Sequence, residues 1–133
     1  MLTEAQNRLL TGVAPGTPMG ELLRRYWMPI GAASEFESRA VRCVRLMGED
    51  LALYRDLSGN YGLVDRHCAH RRADLARGSA EPNGIRCHYH GWTYDLKGSL
   101  VGVPGFKEVY HEELDRENWC LIRAPQVESY KGL

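Results

Sequence analysis

This chain has no excess of charge of either sign. Its seventeen basic and seventeen acidic side chains cancel, so no net field draws it to nucleic acid or to an anionic membrane. No apolar run approaches the roughly 20 residues of a membrane span. The N-terminus Met1-Leu2-Thr3-Glu4-Ala5-Gln6 lacks the basic-then-apolar order of a secretory leader. Neither nucleic acid nor membrane is expected as a partner, and a cytoplasmic location is the default. Cysteine is scarce as well, with four in 133 residues, and in a reducing compartment no disulfide is expected. A composition that is 44% hydrophobic and 26% charged suffices for one soluble domain with its own core.

Two of the cysteines sit in a pattern. Cys68-Ala69-His70 is followed, sixteen residues later, by Cys87-His88-Tyr89-His90. Within each pair a sulfur and an imidazole lie close enough in sequence to share one tight loop. The interval, with Gly78 and the turn Glu81-Pro82-Asn83-Gly84, can bring the second loop alongside the first. Four such donors suit either zinc or an iron–sulfur cluster. Structural zinc sites usually pair like with like within a knuckle. A mixed pair on each loop favours a [2Fe–2S] centre in which two Cys hold one iron and two His the other. Cys68 and Cys87 would then serve the first iron, His70 and His90 the second. Cys43 and Cys120 are left over and are expected to be buried thiols.

Thr3 with Gln6 forms a candidate capping box for a helix ending near Gly12. Thr17-Pro18 opens a second helix, carried by Met19, Leu22, Leu23 and Tyr26 and stopping before Pro29. Arg24 and Arg25 would form its solvated face. Thereafter the pattern is β, with strands expected near 28–33, 41–47, 51–55, 61–65, 85–87, 92–94 and 99–103. An irregular or helical piece near 106–118 and a last strand over 120–123 follow. Residues 127–133 read as the start of a further strand. The first ligand loop leaves the strand at 61–65 and the second joins those at 85–87 and 92–94, so the candidate centre belongs at the tip.

Three segments carry a family resemblance: Cys68-Ala69-His70-Arg71-Arg72-Ala73-Asp74-Leu75, Cys87-His88-Tyr89-His90-Gly91-Trp92-Thr93-Tyr94-Asp95, and Gly16-Thr17-Pro18-Met19-Gly20-Glu21-Leu22-Leu23-Arg24-Arg25-Tyr26-Trp27. The chain resembles the N-terminal Rieske domain of the aromatic ring-hydroxylating oxygenases, and their phthalate dioxygenase-like branch most of all. It departs from the pattern at Arg72, where many members have Gly, and at His88, where many have Pro or another small residue. The extra loop cysteines of respiratory-chain Rieske proteins are absent.

The resemblance implies a mainly β fold, a small antiparallel sandwich or barrel with two N-terminal helices and a cluster-binding tip. Residues 1–27 would form the helical segment and 28–133 the Rieske domain, cut before a catalytic domain. It also implies a Rieske [2Fe–2S] cluster on Cys68, His70, Cys87 and His90, a reductase or ferredoxin as electron donor, and a homo-oligomer, a trimer, for the full-length protein. The mononuclear Fe(II) of the family would lie in the missing catalytic domain, so this segment carries no catalytic residue of its own. With two thiolates and neutral imidazoles the oxidised cluster is uncharged, where four thiolates would leave it doubly negative, so reduction is easier. The expected function is electron transfer to an oxygenase iron that hydroxylates an aromatic substrate. A free-standing Rieske-type ferredoxin is the alternative.

Near the ligands, Trp92 and Tyr94 are expected in the core, and Tyr89 is a candidate donor to a cluster sulfur. His67 and His88 lie off the motif, His111 in solvent, and Arg71 either faces a carboxylate of another subunit or stands in water.

Overall fold

The computed structural model describes residues 1–133. The N-terminal helices form as their caps dictate. In α1 (Glu4–Thr11) the Thr3 side chain accepts from the Gln6 N–H and the Gln6 side chain accepts from the Thr3 N–H. In α2 (Pro18–Leu23) the Thr17 hydroxyl accepts from the Gly20 N–H at 3.2 Å. Residues 24–26 make a turn, and no strand forms over 28–33. Pro29 has no N–H to give to a ladder, and the segment instead closes in a 3-10 helix, Ala33–Phe36, whose Phe36 reaches the core.

Two antiparallel sheets follow, and they do not close into a barrel. The first is a meander of β1 (Val41–Leu46), β2 (Glu49–Arg55) and β3 (Tyr61–Asp65). Met47 and Gly48 link β1 to β2 with φ values of 48° and 83°, the two positive dihedrals of a tight hairpin turn. The second sheet runs β4 (Ser79–Glu81), β5 (Gly84–Arg86), β6 (Thr93–Asp95) and β7 (Leu100–Gly102) in order. β4 escapes sequence reading because Ser-Ala-Glu has no β-branched or aromatic residue; pairing with β5 makes it a strand.

The expected last strand over 120–123 is also missing. Its chain runs beside β3 in irregular form, with one isolated bridge between Val64 and Arg123 and the Asp65 N–H donating to the Ile122 carbonyl at 2.7 Å. Residues 127–133 form no strand either, and the Ala33 N–H donates to the Gly132 carbonyl at 2.8 Å.

Residues Leu51 to Tyr54 are all buried, because β2 is covered on both faces. Leu51 and Leu53 pack with Phe36 and Leu63 in one cluster. Ala52 and Tyr54 join Val64, Leu75, Ile85, Trp92, Tyr94 and the cysteines Cys68 and Cys87 in the larger one. Tyr54, fully buried, donates its hydroxyl hydrogen to the Asp95 carbonyl at 3.1 Å and so ties the first sheet to the second. Cys43 and Cys120 are exposed, against expectation. Cys43 lies on the edge strand β1, and Cys120 follows a surface 3-10 helix, Arg116–Trp119.

Gly62 faces Tyr54 across the β2–β3 ladder, and a Cβ there would stand 2.4 Å from the phenol ring. Gly62→Ala should therefore destabilise the domain by about 1–3 kcal/mol, the usual cost of overpacking, and lower the melting temperature by several degrees. A calorimetric melt that matches the parent would show that Tyr54 has room to move.

Candidate metal centre

The first ligand loop leaves the end of β3 and returns through Asp74 into a short 3-10 helix, Leu75–Arg77. Its base is clamped. Arg66 donates from Nε to Asp74 Oδ1 at 3.1 Å and from Nη2 to Oδ2 at 2.6 Å, a two-point fork, and the Leu75 N–H donates to the Arg66 carbonyl at 2.7 Å. The guanidinium holds the Asp74 carboxyl below its ordinary range, and Asp74 also caps the helix through the Ala76 N–H.

Inside the clamp the Cys68 N–H donates to the Ala73 carbonyl and the Arg72 N–H to the Cys68 carbonyl, both at 2.9 Å. The second loop, between β5 and β6, repeats this. The Cys87 N–H donates to the Trp92 carbonyl and the Gly91 N–H to the Cys87 carbonyl, both at 2.8 Å. Each cysteine thus opens a six-residue turn whose fifth residue takes a positive φ, 56° at Arg72 and 75° at Gly91. This accounts physically for glycine at the first of these positions in many members of the resembled family: only glycine takes that backbone without steric cost. At Gly91 there is a second reason, since a Cβ would meet Pro104 Cγ at 2.9 Å.

The turns bring four donors to one place. Cys68 and Cys87 are each 2% exposed, and burial pushes the Cys68 thiol up, with the nearby Cys87 acting in the same sense. The two imidazoles meet beside them, His70 Nδ1 to His90 Nδ1 at 3.2 Å. Burial lowers the His70 pKa, and His90 and Arg71 lower it further. No three His, Cys, Asp or Glu side chains stand close enough to share one ion; the four donors fall into a sulfur pair and a nitrogen pair. Two converging ring nitrogens beside two buried sulfurs fit a centre with separate sulfur and nitrogen ends, which a [2Fe–2S] cluster has.

Around the donors lies an aromatic shell. The Tyr94 hydroxyl lies 3.2 Å from Cys68 Sγ and accepts from the Ala69 N–H at 3.2 Å, which leaves its own hydrogen free for the sulfur. Burial, then Cys68, holds the Tyr94 hydroxyl protonated far above the ordinary phenol range. The sulfur donor is thus Tyr94, and the expectation for Tyr89 is corrected: Tyr89 is 58% exposed and its ring packs on His90 at 3.9 Å. Trp92 is buried as expected and stacks on His70. The alternation that puts Trp92 and Tyr94 on one inward face of the chain was the available sign that Tyr94 points at the first loop.

Of the other histidines, His67 is half-buried near Asp65, while His88 and His111 are exposed. Arg71 is exposed beside His70.

Residues 26–130 match the family model of the Rieske [2Fe-2S] domain. The chain belongs to that family. Among curated relatives it is 56% identical, over its whole 133 residues, to the 5,5'-dehydrodivanillate O-demethylase oxygenase subunit of a Sphingobium species, covering 31% of that protein. It is 44% identical over 104 residues to the phthalate 4,5-dioxygenase oxygenase subunit of Pseudomonas putida, covering 76% of this chain and 24% of that one. Among solved structures, NdmA of Pseudomonas putida CBB5 with caffeine matches with a TM-score of 0.72 at 29% identity, over 84% of this chain and 32% of that one. The chain spans about a third or less of the length of these relatives. The two curated relatives are oxygenase subunits, which lends nothing to a free-standing ferredoxin, and the family match sets aside the zinc module. Rieske domains bind a [2Fe–2S] cluster, and the donor set found here fits it.

The shared turn predicts that Arg72→Gly relieves backbone strain and raises stability by about 1 kcal/mol. The exposed contact of Arg72 with Asp65, at 3.4 Å, offsets little of that. Chemical denaturation checks it, and a lower midpoint would mean that the turn does not require this dihedral. Tyr94→Phe removes the donor to Cys68. Because that hydrogen bond strengthens as the sulfur gains charge, its loss disfavours the reduced state. A difference of about 1 kcal/mol corresponds to about 40 mV for one electron, so the reduction potential should fall by tens of millivolts. A redox titration showing no fall would remove the bond from the account.

Proposed function

We propose that this chain is the electron-transfer domain of a Rieske non-haem iron oxygenase subunit, with Cys68, His70, Cys87 and His90 as the ligands of its cluster. One observation carries the ligand set: two turns of the same hydrogen-bonded form place two buried thiols together and two imidazole nitrogens 3.2 Å apart. When bound, such a cluster takes up and releases one electron at roughly −150 to +300 mV, against about −400 mV for plant-type ferredoxins.

The chain's own residues set the conditions for this. The backbone turns fix the four donors, the Tyr94 hydroxyl supports a sulfur, and Trp92 keeps water from the His70 side. His90, Tyr89 and His88 stay exposed, so the imidazole end of the site is the one a partner surface can approach. The resemblance supports the wider reading: a reductase or ferredoxin supplies the electron, and the acceptor is a mononuclear iron in the part of the relatives that this chain does not span. It also supports a homo-oligomer, a trimer, for the full-length protein.

The relatives' names, which include a phthalate dioxygenase and an aromatic O-demethylase, support an aromatic substrate. Residues 1–27 are read as a helical lead-in to the Rieske domain at 28–133; the exposure of every residue of α1 supports that division. A cytoplasmic location completes the reading. It is supported by Cys43 and Cys120, the two cysteines outside the proposed ligand set, which stand as free thiols, the form kept in a reducing compartment.

Cysteine replacement tests the ligand set. With four cysteines in the chain, the double variant Cys43→Ser, Cys120→Ser should keep full iron and acid-labile sulfide and the visible spectrum of the parent. Cys68→Ser or Cys87→Ser alone should abolish all three and, since ligation is coupled to folding, lower solubility. Iron loss in the double variant to the level of Cys87→Ser would overturn the assignment.

A further inference from the structure

The two imidazoles of the site stand in unlike surroundings. His90 is exposed and backed by the exposed ring of Tyr89. His70 lies face to face on the Trp92 indole, with centroids 4.5 Å apart and planes 6° from parallel. At that separation the imidazole cannot swing far about its Cβ–Cγ bond without driving an edge into the indole. The orientation of His70 is therefore as secure as that of Trp92.

Trp92 is 2% exposed and is held edge-on by two further aromatics, Trp119 at 5.5 Å and 81° and Tyr110 at 6.3 Å and 69°. Neither belongs to a ligand loop. Both come from the segment after β7, which is fixed at its ends and between them. Pro104 packs against Gly91 at the start. Asp115 caps the turn of Trp119 by accepting from the Glu117 N–H at 3.1 Å, and the Leu121 N–H donates to the Gly98 carbonyl at 2.7 Å.

We propose that Trp119 is a positioning residue for the cluster: its edge contact fixes the Trp92 indole, and the indole fixes the plane in which His70 offers Nδ1. This rests on His70 being a ligand, as proposed above. An aromatic that merely filled the core would contribute to stability and leave the electronic structure of the centre alone. A positioning residue alters it, because the ring plane of a ligating imidazole sets its overlap with the metal.

The test uses the cluster-loaded chain in four variants: Trp119→Leu, Trp119→Phe, Tyr110→Leu, and Phe36→Leu as a control in the other core cluster. Electron paramagnetic resonance of the reduced protein gives the g values, and a redox titration gives the potential. Trp119→Leu should shift the g values and raise the reduction equilibrium constant at least threefold, about 28 mV at 59 mV per tenfold. The rise follows because water reaching the gap favours the more negative reduced state. Tyr110→Leu should shift the same signals in the same direction, Trp119→Phe should restore most of the parent spectrum, and Phe36→Leu should leave it unchanged. Parent-like g values in a loaded Trp119→Leu protein, or shifts no larger than those of Phe36→Leu, would overturn the proposal. So would failure of both Trp119→Leu and Tyr110→Leu to hold a cluster, since the shell would then serve folding alone. Retention of both imidazole nitrogen couplings in His70→Ala would overturn the ligand assignment and this proposal with it, whereas parent-like g values in Trp119→Leu overturn this proposal alone.

Discussion

The hydrogen bond that each metal-loop cysteine makes from its own backbone N–H to the carbonyl five residues on is the constraint from which the site is built. It closes Cys68 onto Ala73 and Cys87 onto Trp92 in turns of one shape. A ligand that depended on side-chain packing alone could swing out of reach when empty; here the backbone holds it. The histidine falls at the third position of the first turn and the fourth of the second, and this offset still lets the two rings meet. Everything else serves to hold the turns at one tip. The Arg66–Asp74 fork closes the base of the first, β5 and β6 hold the ends of the second, and the Tyr54 hydroxyl ties the two sheets that carry them.

The aromatic residues divide the site into a dry side and a wet side. Trp92 and Tyr94 are buried against His70 and Cys68, so the sulfur end lies in the core, shielded from water. Tyr89 and His90 are exposed. For a bound [2Fe–2S] cluster this asymmetry would have two uses: burial would tune the potential, and one open edge would keep the distance to a partner short.

The four candidate donors were legible because ligation demands particular residue types at short intervals, as in Cys-x-His with Cys-x2-His, and the structure brings these side chains to one tip. β1 to β3 were legible for a similar local reason, short β-prone runs broken by the turn residues around Gly48 and Gly59. Where sequence reading failed, distant contacts decided the outcome. Ser79–Glu81 became a strand by pairing with β5, while 120–123 found only one bridge to β3. The apolar look of Cys43 gave no sign that β1 would be an edge strand. Tyr89 is a candidate sulfur donor from its place beside His90 in sequence, yet the hydroxyl that reaches the sulfur comes from Tyr94, across the space between the two loops. The positive φ at Arg72 is a backbone property that an arginine does not advertise.

The central claim is that His70 and His90, and no other histidines, complete the centre. The chain has five histidines, so replacing His67, His88 and His111 together by Ala leaves only these two. Pulsed electron paramagnetic resonance of that reduced triple variant, with histidine labelled by nitrogen-15, should show two imidazole nitrogen couplings equal to those of the parent. Loss of either coupling, or a spectrum with none as in an all-thiolate cluster, would contradict the account.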